Sequence, residues 1–329
     1  MKTVKNFGSV GIMVNYRCTA ACRHCLYACS PQRDKRYMTP DTAATICAAL
    51  KRGGCHSVHI GGGEPFLDFE GLIGVARALG DAGAGIDYVE TNAFWAKDAQ
   101  RTLEKVERLL GAGVDTLCIS IDLYHAEYVP WERPVFLAEM CRKAGMGFFL
   151  WQERFLAPLS GLRGDRAHTR DEIAAAAGAR YIIDTARQYG LRYGGRALNI
   201  EAEYGTRTPV NALLDAAPCT SLLSGRHFHV DVYGRFIPAG CTGLSLPLNE
   251  IVDGVPAGRY PVFSALLDAG IFGLYSFARE HGFIPDSAGY TSRCALCFHI
   301  RHFLTLSGCY DELDVEYYPA ALAYYESSQ

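Results

Sequence analysis

The sequence predicts an α/β fold: a partial, TIM-like (β/α)6 barrel over residues 1–205, followed by a small cysteine-bearing domain over residues 206–329. Three observations lead there. Strand-like and helix-like runs alternate along the first two-thirds of the chain, polar groups recur at the end of each predicted strand, and the alternation stops near Ala216. The predicted strands are residues 10–15, 57–60, 85–90, 116–122, 147–151 and 191–199, with helices over 40–51, 70–82, 98–110, 134–143 and 170–189. Thr39 or Asp41 caps the first helix, which has Pro40 at its opening position. In the third helix Leu103, Val106, Leu109 and Leu110 recur at helical spacing, and Gly111 ends the run. Strands separated by helices make parallel βαβ units with right-handed crossovers, and six of them make a partial barrel. Residues 155–169 match no element. Beyond Ala216, residues 227–232 and 235–237 alternate like two strands of a hairpin around Tyr233-Gly234.

Composition narrows the function. Hydrophobic residues make up 49% and charged residues 20% of 329, enough for a substantial core. A net charge of −3 gives no footprint for general nucleic-acid binding. No apolar run is expected to reach the roughly 20 residues of a membrane span, and MKTVKNFGSV lacks a secretory pattern. Thirteen cysteines without an export signal indicate a reducing, cytoplasmic setting, where thiols bind metal or stay reduced.

In a parallel α/β sheet, ligands gather at the carboxyl ends of the strands. Cys18, Cys22 and Cys25 follow the first strand as C-x-x-x-C-x-x-C. Three thiolates can hold three irons of a cubane cluster and leave the fourth open, or serve a zinc site completed by His24, Cys29 or a distant ligand. Gly61-Gly62-Gly63-Glu64-Pro65 follows the second strand: bare backbone for close approach, a carboxylate suited to an ammonium group, and a stiff exit. Glu90-Thr91-Asn92 follows the third strand, and Ser120 to Asp122 end the fourth. Gln152 and Glu153 follow the fifth, and Arg196 lies in the sixth. Asn92, Ser120 and Asp122 are equally suited to turn and cap chemistry.

The cysteine triplet after strand one and the GGE-type turn after strand two resemble the radical S-adenosylmethionine (SAM) superfamily. The resemblance implies that Cys18, Cys22 and Cys25 bind a 4Fe-4S cluster and that SAM chelates its open iron. It implies that Gly61, Gly62, Gly63 and Glu64 contact the SAM amino group, and that Asn92, Ser120 and Asp122 contact ribose or carboxylate. His24 departs from the aromatic residue usual before the last cysteine, which puts the adenine-side contact in doubt. Cys29 as a fourth ligand would close the iron that SAM needs, and is rejected. A flavodoxin or ferredoxin-type protein would supply the electron that cleaves SAM to a 5′-deoxyadenosyl radical.

Cys219, Cys241, Cys294 and Cys297 suit a second, fully ligated metal site, iron–sulfur or zinc. Beside such a barrel they resemble Twitch, a half-length relative of the SPASM domain in which four cysteines hold an auxiliary 4Fe-4S cluster. Cys309 is a spare ligand or hydrogen-atom donor, Cys55 is unremarkable, and Cys47, Cys118 and Cys141 read as core packing. An auxiliary cluster suits electron acceptance and hence oxidation or cross-linking, although peptide epimerases in the family only re-reduce a radical. The family favours a ribosomal-peptide substrate over a small molecule oxidised in secondary metabolism. The barrel starts within about ten residues, so no N-terminal peptide-recognition domain is expected. A non-catalytic iron–sulfur or zinc redox protein is the contrasting class, and it has no use for the glycine–glutamate turn.

Overall fold

The computed structural model describes Val4 and residues 7–326; residues 1–3, 5 and 6, part of the segment read for an export signal, lie outside the described residues. Alternating apolar runs form β1 (Ser9–Met13), β2 (Ser57–Gly61), β3 (Gly85–Thr91), β4 (Thr116–Ser120) and β5 (Gly147–Trp151). They lie in one parallel sheet in the order β5-β4-β3-β2-β1. The connections are α1 (Pro40–Arg52), α2 (Phe69–Asp81), α3 (Ala99–Leu110) and α4 (Glu132–Ala144). The first three starts follow from local chemistry: the Thr39, Asp68 and Asp98 side chains accept backbone N–H bonds there, and Pro40 opens α1. Gly145, at φ 73°, ends α4 in the left-handed region. Val10, Ile12, Val58, Ile60, Val89, Leu117 and Ile119 are buried in the hydrophobic core. Gly11, His59, Glu90, Cys118 and Ser120 stand at the intervening strand positions, on the other face.

The sixth strand is not where the sequence places it. Within residues 191–199 the chain is irregular up to Gly195 and helical from Ala197 to Tyr204. Gly195 has φ +54°, and a Cβ there would meet the Leu26 carbonyl oxygen at 2.2 Å. The Arg196 N–H donates to the Cys25 carbonyl at 3.1 Å rather than to a neighbouring strand. The sixth parallel strand comes instead from the cysteine-bearing region: β6 (His227–Val230) pairs with the free edge of β1. β7 (Arg235–Ile237) and β8 (Leu246–Pro247) then extend the sheet antiparallel, to eight strands. The sheet therefore runs across the expected 205/206 boundary without a break. The hairpin itself is where the sequence puts it, turning at Gly234 with φ 74°.

Three smaller differences lie outside the sheet. The expected helix over 170–189 is two, Arg170–Ala177 and Tyr181–Tyr189, parted at Gly178 with φ 97°. Residues 156–159 of the unassigned stretch form a single helical turn. Pro261–Glu280 meets the length and apolarity of a membrane span, contrary to expectation. It is interrupted at Ala269 and Gly270, and its Val262, Phe263, Leu266, Leu274 and Ala278 are buried.

Candidate active site

The cysteine loop is held from two sides. On one, the ladder between β1 and β2 continues past both strands: Gly63 N–H donates to the Asn15 carbonyl at 2.9 Å, and Glu64 N–H to that of Arg17 at 2.9 Å. A Cβ on Gly63 would stand 2.1 Å from the Arg17 carbonyl oxygen, so this close approach requires glycine. On the other side, the buried Arg196 donates from Nε to the Cys22 carbonyl at 3.0 Å and from Nη2 to the Cys29 carbonyl at 2.5 Å. Thus anchored, Cys18, Cys22 and Cys25 line one cavity of about 510 Å³ with Gly62, Gly63, Asn92 and Ser120.

Each sulfur receives donors. Ala20 N–H and Asn92 Nδ2 approach Cys18 Sγ at 3.4 and 3.6 Å, and Cys29 N–H approaches Cys25 Sγ at 3.4 Å. The Cys29 thiol also donates to Cys25 and, against burial and helped by Arg196, holds Cys25 well below the usual thiol range. Burial and the neighbouring Cys22 and Glu64 push Cys18 up. His125 donates to the Cys22 sulfur, while burial raises Cys22. Three sulfurs converging on one cavity, each met by hydrogen-bond donors or positive charge, fit an iron–sulfur cluster held by three thiolates.

The other predicted residues separate. Gly62, Gly63, Asn92 and Ser120 face the cavity with the cysteines; Gly61, Glu64 and Asp122 do not line it. The Glu64 carboxylate, read from the sequence as a partner for an ammonium group, is turned into the protein. It is fully buried and accepts from Phe66 N–H at 3.1 Å, Thr91 Oγ1 at 2.9 Å and Asn92 N–H at 2.8 Å, tying the β2 turn to the end of β3. Burial pushes its carboxyl up to about 7. Asp122 takes the turn role that the sequence equally allowed: it accepts the Tyr124 and His125 N–H groups, each at 2.8 Å, and pairs with His125 Nδ1 at 2.8 Å. Burial works against its charge, yet His125 and His24 hold it below the usual carboxylate range. Asn92 accepts from Phe94 N–H at 3.0 Å as a turn residue, and its Nδ2 reaches Cys18. His24 also lines the cavity, stacked on Tyr124 with ring centroids 4.9 Å apart.

Residues 12–147 match the family model described as the radical SAM superfamily. They form a radical SAM domain. A stretch of 121 residues is 27% identical to YydG of Bacillus subtilis (strain 168), whose name assigns it to peptide biosynthesis. That match spans 37% of this chain and 38% of the relative, well under half of each. Among solved structures, Streptococcus suis SuiB bound to the precursor peptide SuiA aligns with TM-score 0.38 and 14% identity, over 89% of this chain and 76% of that one. The structure of anSMEcpe with bound AdoMet and Cp18Cys peptide aligns with TM-score 0.41 and 13% identity, over 97% of both chains.

Outside the radical SAM domain, Cys219, Cys241, Cys294 and Cys297 line a second cavity of about 330 Å³. Cys294 and Cys297 sit in the first turns of the helix Arg293–Ser307, which Ser292 caps. Arg301, buried one turn later, donates to the Thr242 carbonyl at 2.8 Å and lines the same cavity. Four thiols in one lining fit a fully ligated metal site, and the one carboxylate beside them, Asp215, is paired with Arg293 at 2.8 Å. Cys309 is exposed and lines neither cavity. Cys47 and Cys141 are buried as expected, Cys55 is buried too, but Cys118 corrects the core-packing reading by also lining the cavity of the cysteine loop. Sequence reasoning missed His59, Tyr88, Trp151, Tyr189, His227 and His229, which line that cavity as well. For those on strands the available signal was the period of two, which puts alternate side chains on one face; Tyr189, at the end of the helix Tyr181–Tyr189, carries no such signal.

Proposed function

We propose that the chain is a radical SAM enzyme that modifies a ribosomally made peptide. The observation that carries this is the convergence of Cys18, Cys22 and Cys25 with Gly62, Gly63, Asn92 and Ser120 on one cavity at the carboxyl edge of a parallel sheet. The three cysteines would hold a 4Fe-4S cluster, and the Gly62-Gly63 backbone with Asn92 and Ser120 would hold SAM. When bound, these groups supply an electron and a 5′-deoxyadenosyl radical able to take hydrogen from an unactivated C–H bond. The chain's own work is placement and shielding. Arg196 and the β1–β2 ladder hold the cysteine loop, Asn92 and His125 orient individual sulfurs, and His24, Tyr189 and Trp151 wall the cavity with rings.

In residues 206–329, Cys219, Cys241, Cys294 and Cys297 would hold an auxiliary 4Fe-4S cluster, as in a Twitch-type unit. Such a site suits an electron acceptor in an oxidation or cross-link, with a flavodoxin or ferredoxin-type donor serving the first cluster in a reducing cytoplasm. The peptide substrate is supported by the similarity to YydG, whose name places it in peptide biosynthesis. The test is anaerobic reconstitution followed by SAM and dithionite. Wild type is expected to release 5′-deoxyadenosine, Cys22→Ala none, and a precursor peptide encoded beside the gene should raise the yield and change mass. A fully loaded wild type that makes no 5′-deoxyadenosine would leave a non-catalytic redox protein as the better reading.

A further inference from the structure

We propose that His59, His227 and His229 form a binding site for one divalent transition-metal ion of the zinc type, with Glu90 beside them. This site is separate from both cysteine clusters. The three imidazoles belong to β2 and β6, the two strands that flank β1. Gly11 of β1 is in register with His59 on one side and His229 on the other. A Cβ at Gly11 would lie 2.4 Å from His229 Nε2 and 2.5 Å from His59 Nε2, so the missing side chain is the space in which the rings meet. One nitrogen of each ring lies within 4.8 Å of the others. Tetrahedral zinc with bonds of about 2.0–2.1 Å needs ligand nitrogens about 3.3 Å apart, a gap that small rotations of the rings close.

The surroundings point the same way. His227 Nδ1 lies 3.1 Å from Ser9 Oγ, an outer hydrogen bond that leaves Nε2 for an ion. The His59 ring has no hydrogen bond among the described residues: Nδ1 is enclosed without a partner, and Nε2 lies 3.9 Å from Glu90 Oε1. The His59 and His227 rings stack at 5.5 Å and 3°, with His229 edge-on to both. Two cationic rings would repel in that arrangement, whereas neutral rings offer lone pairs. Three imidazoles with a carboxylate alongside are a donor set for zinc, cobalt or ferrous iron, unlike the thiolates of the cysteine loop. All four residues line the cavity that Cys18, Cys22 and Cys25 line, so a position left open on the ion faces the same chamber. There it would take a Lewis-basic group, such as a peptide carbonyl or carboxylate. That use rests on the function proposed above; the binding of the ion does not.

The experiment uses the full chain with its cysteines occupied by reconstituted iron–sulfur clusters, stripped of loose metal and titrated with Zn²⁺. Zinc, iron and sulfide per chain are measured after gel filtration, and the zinc environment by X-ray absorption. One zinc per chain is expected, with a nitrogen and oxygen shell showing imidazole scattering. His227→Asn, at an exposed strand position, should weaken zinc binding by about 100-fold, and Ser9→Ala, which removes only the outer partner, by about 10-fold. Neither should change iron or sulfide content. The proposal is overturned if the wild type retains no zinc, if sulfur dominates the shell, or if His227→Asn binds zinc as tightly as wild type while keeping its iron. Loss of zinc in these variants would hold even if the chain produced no 5′-deoxyadenosine.

Discussion

Arg196→Met tests what holds the cysteine loop. The substitution keeps an unbranched apolar side chain and removes the guanidinium, which is buried at 2% exposure and donates to the carbonyls of Cys22 and Cys29. The Arg196 backbone bond to the Cys25 carbonyl survives the change. The Cys29 carbonyl, left without a donor, costs about 1–3 kcal/mol, and the Cys22 carbonyl, which keeps the Cys25 N–H at 3.0 Å, loses a charge-assisted bond worth about 1.5–3 kcal/mol, so the two together cost about 2.5–6 kcal/mol. A whole domain is stable by only about 5–15 kcal/mol, and this loss is concentrated on one loop. Arg196→Met should therefore fail to hold iron at the first site after anaerobic reconstitution while keeping it at the second. Arg196→Lys keeps the charge but not the forked donor geometry, and should fall between the two. Iron and sulfide per chain, with the urea midpoint of unfolding, are the measurements. Wild-type iron and a wild-type midpoint in Arg196→Met would refute the reasoning.

Cys29→Ala removes a thiol that donates to Cys25 but is not needed as a ligand, so it should keep its iron, whereas Cys22→Ala should lose about half of the iron of a two-cluster protein. Gly63→Ala sets a methyl 2.1 Å from the Arg17 carbonyl oxygen; the strain should cost about 1–3 kcal/mol in urea unfolding and weaken SAM binding measured by calorimetry. Asp231 caps the β6–β7 turn by accepting from Tyr233 and Arg235 N–H, and burial raises its carboxyl to about 6. A raised folded-state value means stability is fully present below the unfolded value near 3.8 and is lost as pH rises through 6. Between pH 5 and 7.5 the wild type should lose about 1.4 kcal/mol through this group, and Asp231→Asn, which keeps the acceptor, should not. Equal pH slopes in paired urea titrations would contradict the assignment.

Much of the site was legible because its signals are short. The cysteine spacing, the glycine turn and the strand-to-helix alternation each lie within a few tens of residues, and the structure brings Cys18, Cys22, Cys25, Gly62, Gly63, Asn92 and Ser120 together. Side-chain direction was harder to read. Glu64 stands at a strand end as expected, but its carboxylate turns inward to the Asn92 N–H, 28 residues on, which a linear sequence does not display, whereas Asp122 serves the local turn by accepting from the Tyr124 N–H. Arg196 was placed in a strand by its apolar neighbours. Its fate was decided by carbonyls of the cysteine loop, 174 and 167 residues away.

By itself, then, the sequence determined the parallel α/β class, the first five strands, the hairpin and the two sets of cysteines, because periodicity and contiguous motifs are properties of neighbouring residues. Only the tertiary structure decided which strand completes the sheet. The free edge of β1 needs backbone partners, and β6 supplies them from 218 residues away, at His227 beside Ser9. That pairing carries His227 and His229 across Gly11 to His59 and makes one chamber of residues that no local pattern connects.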